Sequence, residues 1–220
     1  MKEIVSMIQQ YIPEFISTVS TLLSAFGGAW FAFRLQNKHE EKSIINNNVS
    51  SLNIAQIRLM QQYNEIEKIK KNFTSPILND PLYWVHIPAL SPRDRDIQVD
   101  VSSLSILIQA DGISVISDIL ESEEYYKEIL KSLNIRSVMH ISEFQPYYEK
   151  IKNKYDKIDL EILVKELGEK SVIGLMTITD QILAILPDAI KKYKIAMRHL
   201  YEKSKEIYPK CKIVMLSEEQ

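Results

Sequence analysis

Four histidines, one cysteine and one small polar cluster are the side chains in this sequence with the means to do chemistry. Their spacing does not bring them together. His39, His86, His140 and His199 are scattered, and none stands three or four residues from another His, Cys or Glu in a zinc-protease spacing such as HExxH. His140 and Glu143 are i and i+3, which on a helix makes an ordinary surface pair. Cys211 has neither a glycine-rich elbow nor a histidine beside it, so a nucleophile is not expected. Neither GxxxxGK[ST] nor GxGxxG occurs, and Gly168 and Gly174 form no phosphate loop. Thr177, Thr179 and Asp180 are the one polar group set in an apolar surround, and Asp180 reads as a buried acid that could act as a switch. The expectation is a protein that is not an enzyme and that carries no cofactor and no metal.

Charge is segregated. From Asp96 to Glu124 there are acidic residues and no Lys or Arg. From Lys191 to Lys212 basic residues dominate, with Lys191, Lys192, Lys194 and Arg198 as a candidate face for an anionic partner, lipid headgroups before nucleic acid. The plainer expectation is that acidic and basic helices are neighbours. A net charge of −2 gives no global basic balance, so nucleic acid is not an expected partner.

The element that must place everything else is Phe15–Phe33, FISTVSTLLSAFGGAWFAF. It carries no charge and is followed by Arg34, Lys38 and Lys42. Such a run is long enough to cross about 30 Å of hydrocarbon as a helix. Trp30 and Tyr11 fall toward the two interfaces, and the basic flank puts the C-terminal side in the cytoplasm and the N-terminus outside. A cleaved signal peptide is the poorer reading, because Glu3 and Glu14 spoil its basic start and the basic cluster follows the run. A core helix of this length would show a polar face beyond hydroxyls. Ser20, Ser24, Gly28 and Ala32 make one ridge of small residues, with Ser17, Thr21, Ala25 and Ala29 beside it. Small-xxx-small ridges let membrane helices approach closely, so this is the candidate self-association face.

Around the span the sequence reads as helical. Residues 1–14 make a short N-terminal segment, with Ile4, Ile8, Tyr11 and Ile12 at helical spacing. Residues 34–75 read as a helical stalk. There Ile45, Val49, Leu52, Leu59, Tyr63, Ile66 and Phe73 follow a near-3.5 spacing, with breaks at Gln56 and Lys70, that suits a coiled-coil seam or a bundle helix. Asn46, Asn47 and Asn48 are its weak point. Residues 76–220 read as a cytoplasmic helical domain. The proline-dense stretch 74–96 should hold no regular element, yet its Leu82, Trp84, Val85 and Ile87 should lie down on the core. A Trp in such a loop is also a candidate partner contact.

Helices are expected from Ser102 or Ser103 to Ala110 and from Ile113 to about Glu143. Another follows Pro146, a short one covers Leu160–Leu167 behind an Asp159 cap, and the last runs from Lys170 to Ile207 with a kink at Pro187. That last helix is apolar enough to be weighed as a second span, but Asp180 and Gln181 at its middle make it a bundle helix. Five glycines in the chain favour helix over tight-turned sheet, and a lone cysteine fits a reducing compartment.

The fold expected is therefore all-α: one N-terminal transmembrane helix, a long helical stalk and a cytoplasmic bundle, a layout common among bacterial proteins. The expected place is the inner membrane, as a homo-oligomer with a protein partner. The function expected is a self-associating scaffold or binding module at the cytoplasmic face. The alternative is an oligomerising membrane effector of toxin or phage-defence type, gated by its cytoplasmic domain.

Overall fold

A computed structural model describes the backbone of residues 2–74, 80–90 and 97–215, with side chains described at residue 17 and from 19 onward within the first helix. Pro76, Pro92, Asp96, Leu216 and the side chains of Ile4, Ile8, Tyr11, Ile12 and Phe15 lie outside the described residues. The chain divides into two units, Met1–Asn48 and Val49–Gln220. The described elements are helical, with no strand among them, so the all-α expectation holds.

The first helix, α1, is Lys2–Phe73 and keeps its helical bonding through Asn46, Asn47 and Asn48. The division between units falls at that same asparagine run.

In the unit Val49–Gln220, Leu52, Leu59, Ile66 and Phe73 recur every seventh residue and are at most 1% exposed. They pack with α4 (Ile113–Val138) and α7 (Glu169–Ile207) in one core. The expected seam is therefore consumed by the chain's own later helices. Gln56, which looked like a break in it, is buried and donates to Met197 O at 3.2 Å. Gln62 is buried too. It takes a bond from Tyr193 Oη at 3.0 Å and gives one to Glu123 at 2.9 Å. The same Glu123 oxygen accepts from Val99 N at 2.7 Å, so a buried carboxylate stitches three segments together.

A second cluster lies between the connecting segments and the start of α7. Leu82, Trp84 and Val85 meet Phe144, Ile151, Leu163, Val172 and Leu175 there. The proline-dense stretch does lie down on the core, but it also holds one helical turn, α2 (Tyr83–His86). Six residues free of proline separate Pro81 from Pro88, which is room for a single turn, and Asp80 Oδ1 accepts from Leu82 N at 2.8 Å to start it.

The serines expected to cap the next helix yield to Asp100. Its carboxylate accepts from Ser102 N at 3.0 Å and opens a 3-10 turn, Val101–Leu104, ahead of α3 (Ser105–Gln109). The α3–α4 corner closes with Gly112 N bonded to Leu107 O at 2.6 Å. The left-handed residue there is Asp111, at φ 55°. Gly112 is required for space instead, because a Cβ on it would come within 2.9 Å of Leu107 O.

The helix after Ile113 does not simply end near Glu143. It passes into a π-helical turn, Met139–Phe144, and on into α5 (Gln145–Lys154). Asp159 caps α6 (Leu160–Leu167) as expected, taking Ile162 N at 2.9 Å, and Gly168 ends it at φ 85°. Pro187 is exposed within α7, which runs past it without interruption.

Candidate functional site

Between Val19 and Leu35, α1 exposes its large apolar side chains. Val19 is 37% exposed, Leu23 69% and Phe26 72%, and Leu22, Trp30, Phe31 and Phe33 lie between half and two-thirds exposed. Ser20, Ser24, Gly28 and Ala32 are exposed as well, and a Cβ on Gly27 or Gly28 would meet nothing. The bulky and the small residues take different sides of the helix between Ser17 and Trp30. Val19, Leu22, Leu23, Phe26 and Trp30 cluster on one half of the circumference, and the two small-residue ridges fill the other. Thr21 Oγ1 donates to Ser17 O at 2.8 Å, the back-bond that lets a hydroxyl tolerate an apolar setting. Arg34 closes the run, its guanidinium 5.3 Å from the Trp30 ring centroid.

By length and composition, one helix among the described residues is long and apolar enough to cross a membrane, and it is α7. Its apolar side is turned into both clusters, through residues such as Leu175, Ile182, Leu186 and Leu200. Asp180 and Gln181 are exposed at the middle of the apolar run.

The polar cluster on α7 divides. Asp180 is not buried, which corrects the expectation of a buried switch. It is exposed and accepts a hydrogen bond from Tyr83 Oη. Burial, then that bond, push the Tyr83 phenol up to about 12. The inward residue is its neighbour Thr179, because Leu175, Thr179, Ile182 and Leu186 share one helical face.

Thr179 belongs to a buried polar site built round Arg136 of α4. Arg136 is 0% exposed. Its Nε donates to Thr179 Oγ1 at 3.0 Å, Nη1 to Pro88 O at 3.0 Å, and Nη2 to Trp84 O at 3.0 Å and Ile87 O at 2.7 Å. The guanidinium carbon lies 5.3 Å from the Phe73 ring centroid. Burial lowers the Arg136 pKa to about 10, still well above neutral pH, so the group remains a cation. Its charge is met by carbonyl dipoles in a planar fork geometry that only guanidinium offers.

Two neighbours on the same side of the chain extend the grip. Ser137 Oγ donates to Leu90 O at 2.7 Å, and His140 Nε2 lies 3.1 Å from Val85 O. Five carbonyls of the segment 84–90 are thus held by side chains from one helix and the π turn that continues it. At the outer edge His86 Nδ1 lies 2.8 Å from Asp80 and its Nε2 3.3 Å from Tyr148 Oη. Asp80, His86 and Tyr148 line up as a carboxylate–imidazole–hydroxyl relay, but on open surface. Two depressions elsewhere are shallow, one along the end of α1 from Asn64 to Thr74 just beyond it and one between Glu128 and Ile185. Among the described residues no three His, Cys, Asp or Glu side chains group to hold a metal ion.

The candidate anionic-partner face is partly engaged. Lys192 pairs with Glu121 at 2.7 Å. Lys191, Lys194 and Arg198 are exposed, and Lys194 Nζ lies 5.8 Å from the Tyr63 ring centroid. His199 Nδ1 meets Asp118 at 2.7 Å, so two contacts join the acidic run on α4 to the basic run on α7. The chain matches no family model, no curated protein and no solved structure.

Proposed function

We propose that this chain is a single-pass, self-associating membrane scaffold whose unit Val49–Gln220 serves as a helical binding module at the cytoplasmic face. The observation that carries the proposal is the exposed apolar collar between Val19 and Leu35, on a run that holds no charge from Phe15 to Phe33. A soluble surface does not ordinarily leave so many large apolar side chains uncovered on one helix. Nineteen helical residues reach about 28 Å, close to the hydrocarbon thickness of a bilayer. Lipid suits the half of the helix that carries Leu22, Leu23, Phe26 and Trp30. The small-residue half suits a second helix, with Gly28 as the point of closest approach. Arg34, Lys38 and Lys42 favour the cytoplasm for the flank that follows.

A second function has one observation in its favour. The small-residue half carries hydroxyls at Ser17, Ser20, Thr21 and Ser24. An oligomer that turned them toward a wet centre would be a membrane effector rather than a scaffold.

The test is native mass spectrometry of the full-length protein in mild detergent, beside the Gly28→Leu variant. A defined homo-oligomer that falls to monomer in Gly28→Leu is the expected result. A monomeric native protein, or one lost to alkaline carbonate extraction of the membranes, defeats the proposal. Collapse of membrane potential on expression, abolished by Gly28→Leu, would select the effector.

A further inference from the structure

We infer that the segment from Asp80 to Leu90 is an acid-releasable strap, latched by neutral His140 and freed when that imidazole takes up a second proton. The inference does not depend on the membrane proposal. It starts from the tautomer. His140 Nε2 lies 3.1 Å from Val85 O, and a carbonyl oxygen only accepts, so Nε2 carries the hydrogen. Nδ1 is then the bare nitrogen, and it is buried with no partner among the described residues. The ring is stacked on Phe144, with centroids 6.1 Å apart and planes 19° from parallel. A second proton has to go onto Nδ1, where it finds no acceptor.

Of the charged groups around the site, the Arg136 cation of α4 opposes it as well. The strap contributes Asp80 and His86, which are bonded to each other, and α5 contributes Tyr148. From α7 the acid is Asp180, taken by Tyr83, and on the π turn itself Glu143 accepts from Ser171 Oγ. No carboxylate among these is bonded to His140. Burial, with Arg136 adding to it, lowers the His140 pKa against the smaller opposing effect of the Val85 bond.

The sign follows. A histidine depressed in the closed state favours closure fully above the ordinary imidazole value near 6.5, and progressively less as pH falls below it. The open-to-closed ratio can then rise by up to about tenfold for each pH unit until the closed-state value is reached. His140 grips the strap directly, through Val85, between the Arg136 bonds to Trp84 and Ile87. Charging it strikes the middle of the latch. An open strap lifts Trp84 out of the second cluster.

The experiment uses full-length protein in detergent micelles with Trp30→Phe, so that Trp84 is the sole tryptophan. Its emission is followed from pH 8 to pH 5. The expected result is a red shift that sets in below about pH 6.5. It should be absent in His140→Gln, which keeps a donor for Val85 and does not titrate, and retained in His86→Gln. No shift in the parent, an unchanged shift in His140→Gln, or its loss in His86→Gln overturns the inference. Should His140→Gln not fold, amide exchange in the parent decides. Protection of residues 82–90 should fall in acid relative to that of α4, and equal changes in both would overturn the latch.

Discussion

Among the described residues Arg136 has no carboxylate partner, and its four hydrogen bonds there run to a hydroxyl and three carbonyls. Removing a buried hydrogen-bonded charge leaves those acceptors stranded, which a hydrophobic replacement of similar length does not cure. Arg136→Met is expected to lower stability by about 3 kcal/mol or more in urea unfolding. Asp180→Asn, one residue from Thr179 but facing water, should cost less than about 1 kcal/mol in the same assay. The pair of measurements separates the true buried polar site from the one expected at Asp180. The sequence held a signal for this, since the spacing of Leu175, Ile182 and Leu186 turns Thr179 inward. Arg136 offered none. Three of its four partners lie some 50 residues away in sequence and are main-chain carbonyls, which every residue possesses.

The ends of α6 were the most legible, because their determinants are local. Asp159 and Gly168 mark α6 through a cap bond and a positive φ, both set by neighbours within four residues. Asp159→Ala should cost about 1 kcal/mol, read as a lower thermal midpoint. The seven-residue recurrence of Leu52, Leu59, Ile66 and Phe73 was equally plain, but periodicity states only that a face is covered. Packing on α4 and α7 decided that the cover is the chain itself. The single turn at Tyr83–His86 and the π turn escaped the sequence for a related reason. Each is fixed by contacts with distant segments, Arg136 and His140 for the former, Phe144 packing on Trp84 at 5.5 Å for the latter.

At the scale of the whole molecule, the proposed topology has a built-in reporter. Cys211 is the chain's only cysteine, and it is free and partly accessible. In intact cells a membrane-impermeant maleimide should leave it unlabelled, and permeabilisation should make it react. Labelling of intact cells would reverse the orientation. The uncharged apolar run and the heptad spacing along α1 were legible in the sequence, whereas the polar stitching by Gln62, Glu123 and Arg136 was not. The π turn at Met139–Phe144 has a consequence of another kind. Such a turn holds one residue more than an α-helix would spend on the same turn. Deleting Ser142, which is exposed within it, would restore the α-helical count and swing everything beyond by about 100° round the axis. Ile151 would turn from the core toward water, so the added residue is what keeps the two ends of this long helical stretch in phase with their separate neighbours.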